Sequence, residues 1–337
     1  MIVHVIDPDK FTEPLANFLI EDGRFKDHYF LCPKFSSINE SNQLIHLKSP
    51  LSKHLFYNIW RMFDLCFKAK RIVLHGAVVI QFFFFFPFFF HKISWVIYGY
   101  ELDIIKAPSG KYSRMIRFVL GKVSSHISHI YEDSKEANFL LNSQTKFEYS
   151  TMYFSNVINT DFFKSENISR KESINVLVGN STDPSNEHIS IFDMIENEIN
   201  FIDRIYCPLS YGLYDDYKDK IIEEGYRRFG DKFIPLTKFM NINEYVNFLK
   251  IIDVAIFNHN RQQAMGNTLT LLGLGKIVYM RQGTNSFESL TKRGFQVFDN
   301  QLIKTFGVKF NRGVETNKDL LEKYYSKSVL IDFYLNL

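Results

Sequence analysis

The stretch FNHNRQQAMGNTLTLL, Phe257 to Leu272, sets an always-charged guanidinium, two amides and a glycine between an apolar strand and a helix. Arg261, Gln262 and Gln263 follow the strand predicted over Asp253–Phe257. Gly266, Asn267 and Thr268 stand at the start of the next helix, which opens at about Gly266. The unsatisfied N–H groups of a helix's first turn and the positive end of its dipole attract anions. Glycine lets a phosphate approach the backbone, and arginine clamps it with a forked donor. The chemistry implied is a site for the diphosphate of a nucleotide-activated donor. The structural alternative is Asn267 or Thr268 capping a helix beside a surface arginine.

Two further loops fall at strand ends. After Ile174–Val178 comes GNSTDPSNEH, in which Gly179, Asn180 and Ser181 suit close approach to a phosphate or sugar hydroxyl. Ser185 or Asn186 is expected to cap the next helix, with Glu187 in its first turn. After Phe201–Cys207 comes Pro208-Leu209-Ser210-Tyr211-Gly212, where Ser210 and Tyr211 offer a hydroxyl and a ring for stacking on a nucleobase; a plain turn is the alternative.

These loops need a scaffold, and the apolar pattern supplies one. Strands at MIVHVI, His28–Cys32, Leu44–Leu47, RIVLH, Ile93–Tyr98 and His126–Ile130 alternate with helices at Phe11–Ile20, Leu51–Lys68, Tyr112–Lys122 and Ser134–Leu141. In Leu51–Lys68, residues Leu51, Leu55, Ile59, Met62, Phe63 and Cys66 recur at helical spacing. The pattern lapses over Asn156–Lys171, the expected interdomain linker. It then resumes as strands Ile174–Val178, Phe201–Cys207, Lys232–Ile234, Asp253–Phe257 and Ile277–Met280 between helices His188–Asn197, Tyr214–Phe229, Ile242–Ile251 and Asn267–Gly273, with a helical tail from about Thr316. Such alternation predicts parallel sheets covered on both faces, with ligands beyond the carboxyl ends of the strands. The expected domains are 1–156, 172–315 and a tail 316–337.

Composition narrows the class. A chain of 337 residues with 46% hydrophobic and 23% charged residues is globular and long enough for two cores. A net charge of +3 is too small to argue for nucleic acid. Cys32, Cys66 and Cys207 are scattered without CxxC spacing, which points to a reducing compartment and to neither disulfides nor zinc. The start MIVHVIDPDK reads as a strand and not as a signal peptide. There is no GxGxxG, no Walker lysine loop and no GxSxG elbow, and no cofactor is implied. No Asp-x-Asp motif is present to hold a metal against a sugar diphosphate, so charge neutralisation without an ion is expected.

The run QFFFFFPFFFHK contains Phe82–Phe86 and Phe88–Phe90 around Pro87. With Val78–Ile80 it reaches only about 13 apolar residues, short of the roughly 20 of a spanning helix. It reads as a buried helix between two strands; the alternative is that part of it faces lipid or a lipid-linked substrate.

LVGNSTDPSNEHI (Leu177–Ile189) and RQQAMGN (Arg261–Asn267) resemble the TDP-N-acetylfucosamine:lipid II N-acetylfucosaminyltransferases, enterobacterial enzymes acting on a dTDP-sugar and a polyprenyl-diphosphate acceptor. LHG (Leu74–Gly76) and WVIYGYEL (Trp95–Leu102) resemble family positions too, the latter departing from W-x-I-W-G-x-D-L. The resemblance extends over about residues 72 to 290 and is densest in the second half. It implies an α/β GT-B fold, two doubly wound (Rossmann-like) domains facing a central cleft, with the second holding the donor nucleotide. Gly179, Asn180, Ser181, Arg261, Gln262, Gln263 and Gly266 keep the family's residue types at the donor site; Asn267 and Thr268 join them on the helix-start argument alone. Glu101 occupies the family's aspartate position, from which a carboxylate can deprotonate the acceptor hydroxyl. His75, before Gly76 at another strand end, is the rival base.

The implied acceptor is an undecaprenyl-diphosphate-linked oligosaccharide, and one helix offers a way to reach it. Between Ala107 and Tyr131 there is no acidic residue, while Lys111, Arg114, Arg117 and Lys122 are basic. Such a helix reads as a membrane-surface element, or as an ordinary solvated face. Together these features predict a peripheral glycosyltransferase on the cytoplasmic face of the inner membrane, serving O-antigen or enterobacterial common antigen synthesis. A UDP-sugar epimerase or hydrolase of the same fold and a non-catalytic sugar-nucleotide-binding protein are the alternatives.

Overall fold

The chain's first strand, Ile2–Val5 (β1), is buried along its whole length, as a strand covered on both faces must be. In this computed structural model, residues 1–33, 37–48, 53–107, 110–158, 173–212, 214–305 and 314–337 are described, and every statement of number or absence below refers to them. The chain divides into two compact units, Met1–Val157 with Lys327–Leu337, and Ile158–Ser326.

In the first unit β1 is followed by helix α1 (Thr12–Glu21), strands β2 (His28–Cys32) and β3 (Leu44–His46), helix α2 (Leu55–Lys68), strand β4 (Arg71–His75), helix α3 (Ile80–Phe85), strand β5 (Ile93–Val96), helices α4 (Tyr100–Lys106) and α5 (Gly110–Leu120), strand β6 (Ser125–Ser128), helix α6 (Tyr131–Leu141) and strand β7 (Lys146–Tyr149). The strands form one parallel sheet in the order β3-β2-β1-β4-β5-β6-β7, with Val3 registered against Tyr29 on one side and Ile72 on the other. Chain order reverses between β1 and β4, which opens a crevice at their carboxyl ends.

The second unit comprises β8 (Ile174–Val178), α7 (His188–Ile195), β9 (Ile202–Pro208), α8 (Asp215–Phe229), β10 (Phe233–Leu236), α9 (Ile242–Ile251), β11 (Val254–Phe257), α10 (Met265–Gly273), β12 (Ile277–Met280), α11 (Asn285–Lys292), β13 (Phe298–Asp299) and α12 (Val314–Tyr325). Its parallel sheet has the order β10-β9-β8-β11-β12-β13, so the reversal lies between β8 and β11. The final helix α13 (Lys327–Leu335) returns to the first unit, where the buried Tyr334 hydroxyl donates to the Met152 carbonyl at 3.0 Å.

The predicted alternation is present, with differences that have physical causes. Helix α4 begins at Tyr100, directly after Gly99 at φ 100°, where the sequence pattern suggests only a strand-end loop. Strands β7 and β13 and helix α11 are additional; β7 and β13 are edge strands, and their short, partly buried segments carry little apolar signal. The expected helix over the phenylalanine run is cut in two: α3 ends before Pro87, which opens a 3-10 turn over Pro87–Lys92. Residues 51–52 of the helix expected from Leu51 and residues 159–171 of the expected linker lie outside the described residues.

Candidate functional site

In the second unit, the loops after β8 and β11 meet across the point where strand order reverses. Gly179 turns at φ 66°, and its N–H bonds the Ile256 carbonyl of β11 at 3.1 Å. A Cβ there would sit 2.5 Å from His188 Nε2 and 2.9 Å from Asn186 Oδ1, so glycine is required for space as well as for conformation. Asn186 is the hub of the loop. Its Oδ1 accepts from Asn180 N–H at 2.8 Å, and its Nδ2 donates to Ser181 Oγ at 3.1 Å and to the Asp183 carbonyl at 2.9 Å. His259, on the loop after β11, brings Nε2 within 2.9 Å of Asn186 Oδ1 and 3.1 Å of Asn180 Oδ1. Burial above all lowers His259 to about 3, so the ring is neutral and its Nε2–H donates to those amide oxygens.

Arg261 follows on the same loop, its Nη2 3.4 Å from Asp183 Oδ2, while Gln263 Nε2 donates to Ser185 Oγ at 2.8 Å. The β8 and β11 loops are thus joined by side-chain cross-links from His259 to Asn180 and Asn186, from Asn260 to Glu187, from Arg261 to Asp183, and from Gln263 to Ser185. Helix α10 opens one residue before Gly266. Its N-cap, Ala264, sits in the left-handed region at φ 54°, and no side chain caps its first turn. An alanine there offers the first-turn N–H groups no side-chain acceptor, which suits a helix start that receives an anion, and neither Asn267 nor Thr268 serves as the cap. Non-glycine residues with left-handed φ also stand directly before α7 (Glu187) and α3 (Val79), the helices that follow β8 and β4. Such strain gathers where backbone groups are aimed at a ligand.

The cap expected from Ser185 or Asn186 is not formed. Asp183 accepts from Ser185 N–H at 2.9 Å to start a short 3-10 turn, and Glu187 at φ 55° leads into α7 without a side-chain cap. Ser210 is exposed, and the exposed Tyr211 contributes its carbonyl, which accepts from Thr182 N–H at 2.7 Å. Asp183 and His259 are participants that the sequence did not single out, and Asn186 was expected only as a helix cap. All three lie within the two loops already chosen, which was the only signal for their part in the site.

The first unit brings Glu101 against Gly76, the residue after His75, through the loops at the ends of β4 and β5. Glu101 is fully buried in the first turn of α4, where the Tyr98 N–H donates to Oε2 at 3.2 Å and Oε1 has no hydrogen-bond partner. A Cβ on Gly76, itself at φ 75°, would lie 3.1 Å from Oε1 and from the Tyr100 hydroxyl, so the glycine leaves room for both groups. Burial pushes the Glu101 carboxyl up to about 8 against the pull of neighbouring backbone N–H groups. Glu101 is thus a buried carboxyl with a raised proton affinity.

His75 is a link in a buried chain. His28 Nδ1 lies 2.9 Å from His4 Nε2, His4 Nδ1 3.1 Å from His75 Nε2, and His75 Nδ1 2.6 Å from the Tyr153 hydroxyl. The Tyr153 hydroxyl donates to that of Tyr98 at 2.7 Å. That direction is consistent when each histidine carries its proton on Nδ1. Burial holds His75 down to about 3. With both nitrogens engaged and little affinity for a proton, His75 is held as a neutral link in this chain.

The basic stripe divides. Lys111 and Arg114 are exposed, and Lys122 lies over the Phe118 ring at 5.5 Å. Arg117 is turned inward, where it donates to the Ile105 carbonyl at 2.6 Å and the Leu140 carbonyl at 3.1 Å, tying α5 to the ends of α4 and α6. Positions three apart on a helix are about 60° short of a full turn, so a third residue at that spacing drifts off the face of the first. No three His, Cys, Asp or Glu side chains converge as a metal-binding group, and no helix is long and apolar enough to cross a membrane.

Residues 68–306 match the family described as 4-alpha-L-fucosyltransferase, glycosyl transferase group 56. The chain belongs to this family. The glycosyltransferase also shares its fold with solved structures of low sequence identity. Anabaena HepE, in complex with UDP and glucose, superposes with a TM-score of 0.70 at 11% identity over 99% of this chain and 97% of its own. Sucrose-phosphate synthase of Thermosynechococcus elongatus gives 0.68 at 10% identity, over 98% and 96%. An E. coli trehalose-6-phosphate structure bound with UDP-2-fluoro glucose gives 0.62 at 9% identity, over 99% and 96%. The two parallel sheets of this family-56 glycosyltransferase are those of the GT-B fold.

Proposed function

We propose that this glycosyltransferase moves an acetamido- or amino-dideoxyhexose, such as 4-acetamido-4,6-dideoxygalactose, from a dTDP-sugar to a polyprenyl-diphosphate-linked saccharide at the cytoplasmic face of the inner membrane, in surface-polysaccharide synthesis. The observation that carries the reading is the convergence of Arg261 and the uncapped start of α10 with the Gly179–Ser181 loop at the strand reversal. A diphosphate set there meets backbone N–H groups, a helix dipole and a guanidinium together. The ligands named for HepE, UDP and glucose, support a nucleotide-sugar donor.

In this reading Gly179, Asn180 and Ser181 line the phosphates and sugar, Tyr211 stacks on the base, and Arg261 with the Gly266–Thr268 backbone stabilises the charge that develops on the departing diphosphate. That arrangement works without a divalent ion. Glu101 takes the proton of the acceptor hydroxyl. The test is a thermal-shift series with dTDP, UDP, GDP, CMP and ADP, since a ligand that binds only the folded state raises the melting temperature. A selective shift with dTDP supports the donor; a selective shift with UDP or GDP removes it while keeping the diphosphate site. No shift with any of them removes the site.

A further inference from the structure

Helix α2 is apolar on two sides. Asn58, Met62, Leu65 and Cys66 face the core, whereas Phe56, Trp60, Phe63 and Phe67 recur at spacings of four, three and four along another stripe. Three of these four rings stand in solvent: Phe56 is 88% exposed, Phe67 67% and Trp60 62%. A helix apolar on both faces belongs inside a core, and this one lies at the surface.

The stripe does not end at the helix. Phe63 stacks on Phe67 and lies 5.7 Å from Phe86 and 5.8 Å from Phe88. Beyond the next residue of the run, Phe85 reaches Phe84 at 5.6 Å, and Phe84 reaches Phe118 of α5 at 5.4 Å. Phe85 is 73% exposed and Phe88 50%. Each side of the break at Pro87 gives rings to both: Phe82, Phe83, Phe89 and Phe90 are buried, while Phe85 and Phe88 stand outside.

Charge says what this face meets. Over α2, the phenylalanine run and α5 the sole acid is Asp64, which is held by Lys68 at 2.7 Å. Lys111, Arg114 and Lys122 are exposed beside Phe118, and Lys53 stands exposed just before α2. Tyr57 and Tyr112 add amphipathic rings of the kind that settle at the level of lipid headgroups. We infer that the joined aromatic face of α2, the phenylalanine run and α5 is a membrane-docking surface: its rings enter an anionic bilayer and the basic residues contact the headgroups. This deepens the reading of a lipid-linked acceptor and rests on it for the biological membrane concerned, while the surface itself is testable without sugar transfer.

The full chain is sedimented with vesicles of phosphatidylethanolamine and phosphatidylglycerol, and with phosphatidylcholine alone, with neither donor nor acceptor present. Binding to the anionic vesicles that weakens with salt is expected. The double variant Phe56→Ser/Trp60→Ser should lower partitioning by about tenfold or more at an unchanged melting temperature, since both side chains are already in water. Lys111→Glu/Arg114→Glu should weaken binding to anionic vesicles alone. Wild-type protein left in the supernatant, or unaltered binding by the aromatic variant, overturns the inference. So does a dimer in size-exclusion chromatography that the aromatic variant dissociates, because the face then belongs to a second copy. Vesicle binding retained in a protein that binds no nucleoside diphosphate would sustain this surface while removing the proposed donor site.

Discussion

Arg261 Nη2 and Asp183 Oδ2 stand 3.4 Å apart, joining the two loops on either side of the strand reversal in the second unit. Both side chains are a little more than a quarter exposed, so the pair itself adds little stability. Its consequence is orientation: the carboxylate holds the guanidinium near the start of α10 before any diphosphate arrives.

Replacing Arg261 therefore reads out in turnover more than in melting. Arg261→Ala is expected to lower kcat by about 100- to 1000-fold, roughly 3 to 4 kcal/mol of transition-state stabilisation. Arg261→Lys should recover only part of it, because an ammonium lacks the fork. Asp183→Asn removes the carboxylate's charge but leaves the Arg261 guanidinium in place, and should cost less, about tenfold. Steady-state kinetics checks all three, and near-wild-type turnover by Arg261→Ala removes it from the mechanism.

Glu101 makes a pH-dependent case. Its carboxyl, raised from the usual 4.5 to about 8, is mostly protonated at neutral pH, so a reaction that needs it as base should quicken as pH rises toward 8. Glu101→Gln is expected to be slow and to lose that limb of the pH–rate profile. Stability runs the opposite way. Between about 4.5 and 8 the folded chain holds a proton that the unfolded chain has released, so stability falls as pH rises through that window. Glu101→Gln should accordingly melt above wild type at pH 8 and close to it at pH 4. A variant that melts lower than wild type at pH 8 would contradict the buried, protonated acid.

Histidines give acid sensitivity of the other sign. Burial lowers His75 and His259 to about 3 and His126 and His188 to about 4, with His4 and His28 lowered as well. Unfolded, each takes its proton near 6.5; folded, each refuses it. The contribution of those lowered to about 3 or 4 is present above pH 6.5 and is lost as pH falls toward 4, by at most roughly 1.4 kcal/mol per pH unit for one histidine. Urea midpoints measured from pH 7 to pH 4 should fall steeply. His75→Gln, which can still bond in both directions, should flatten that slope by one histidine's share, and an unchanged slope would count against a neutral His75.

Much of this was written in local pattern. Alternating apolar segments determined two parallel sheets, and polar loops at strand ends marked the Gly179–Ser181 and Arg261–Thr268 stretches, because burial on both faces and chemistry at the carboxyl ends each leave a mark within a few residues. What tertiary structure alone decided were matters of which side a residue faces and what lies opposite it. Asn186 became a hub because His259, 73 positions away, comes to its amide oxygen. Glu101 passed from apparent loop acid to buried acid because α4 starts one residue after Gly99 and packs into the core. Arg117 turned inward while Lys111 and Arg114 stayed outside, and the phenylalanines on both sides of Pro87 separated into core and surface rings. Sequence periodicity fixes an element's type through neighbours three or four residues away, but burial and hydrogen-bond partners are set by distant segments that only the folded chain brings together.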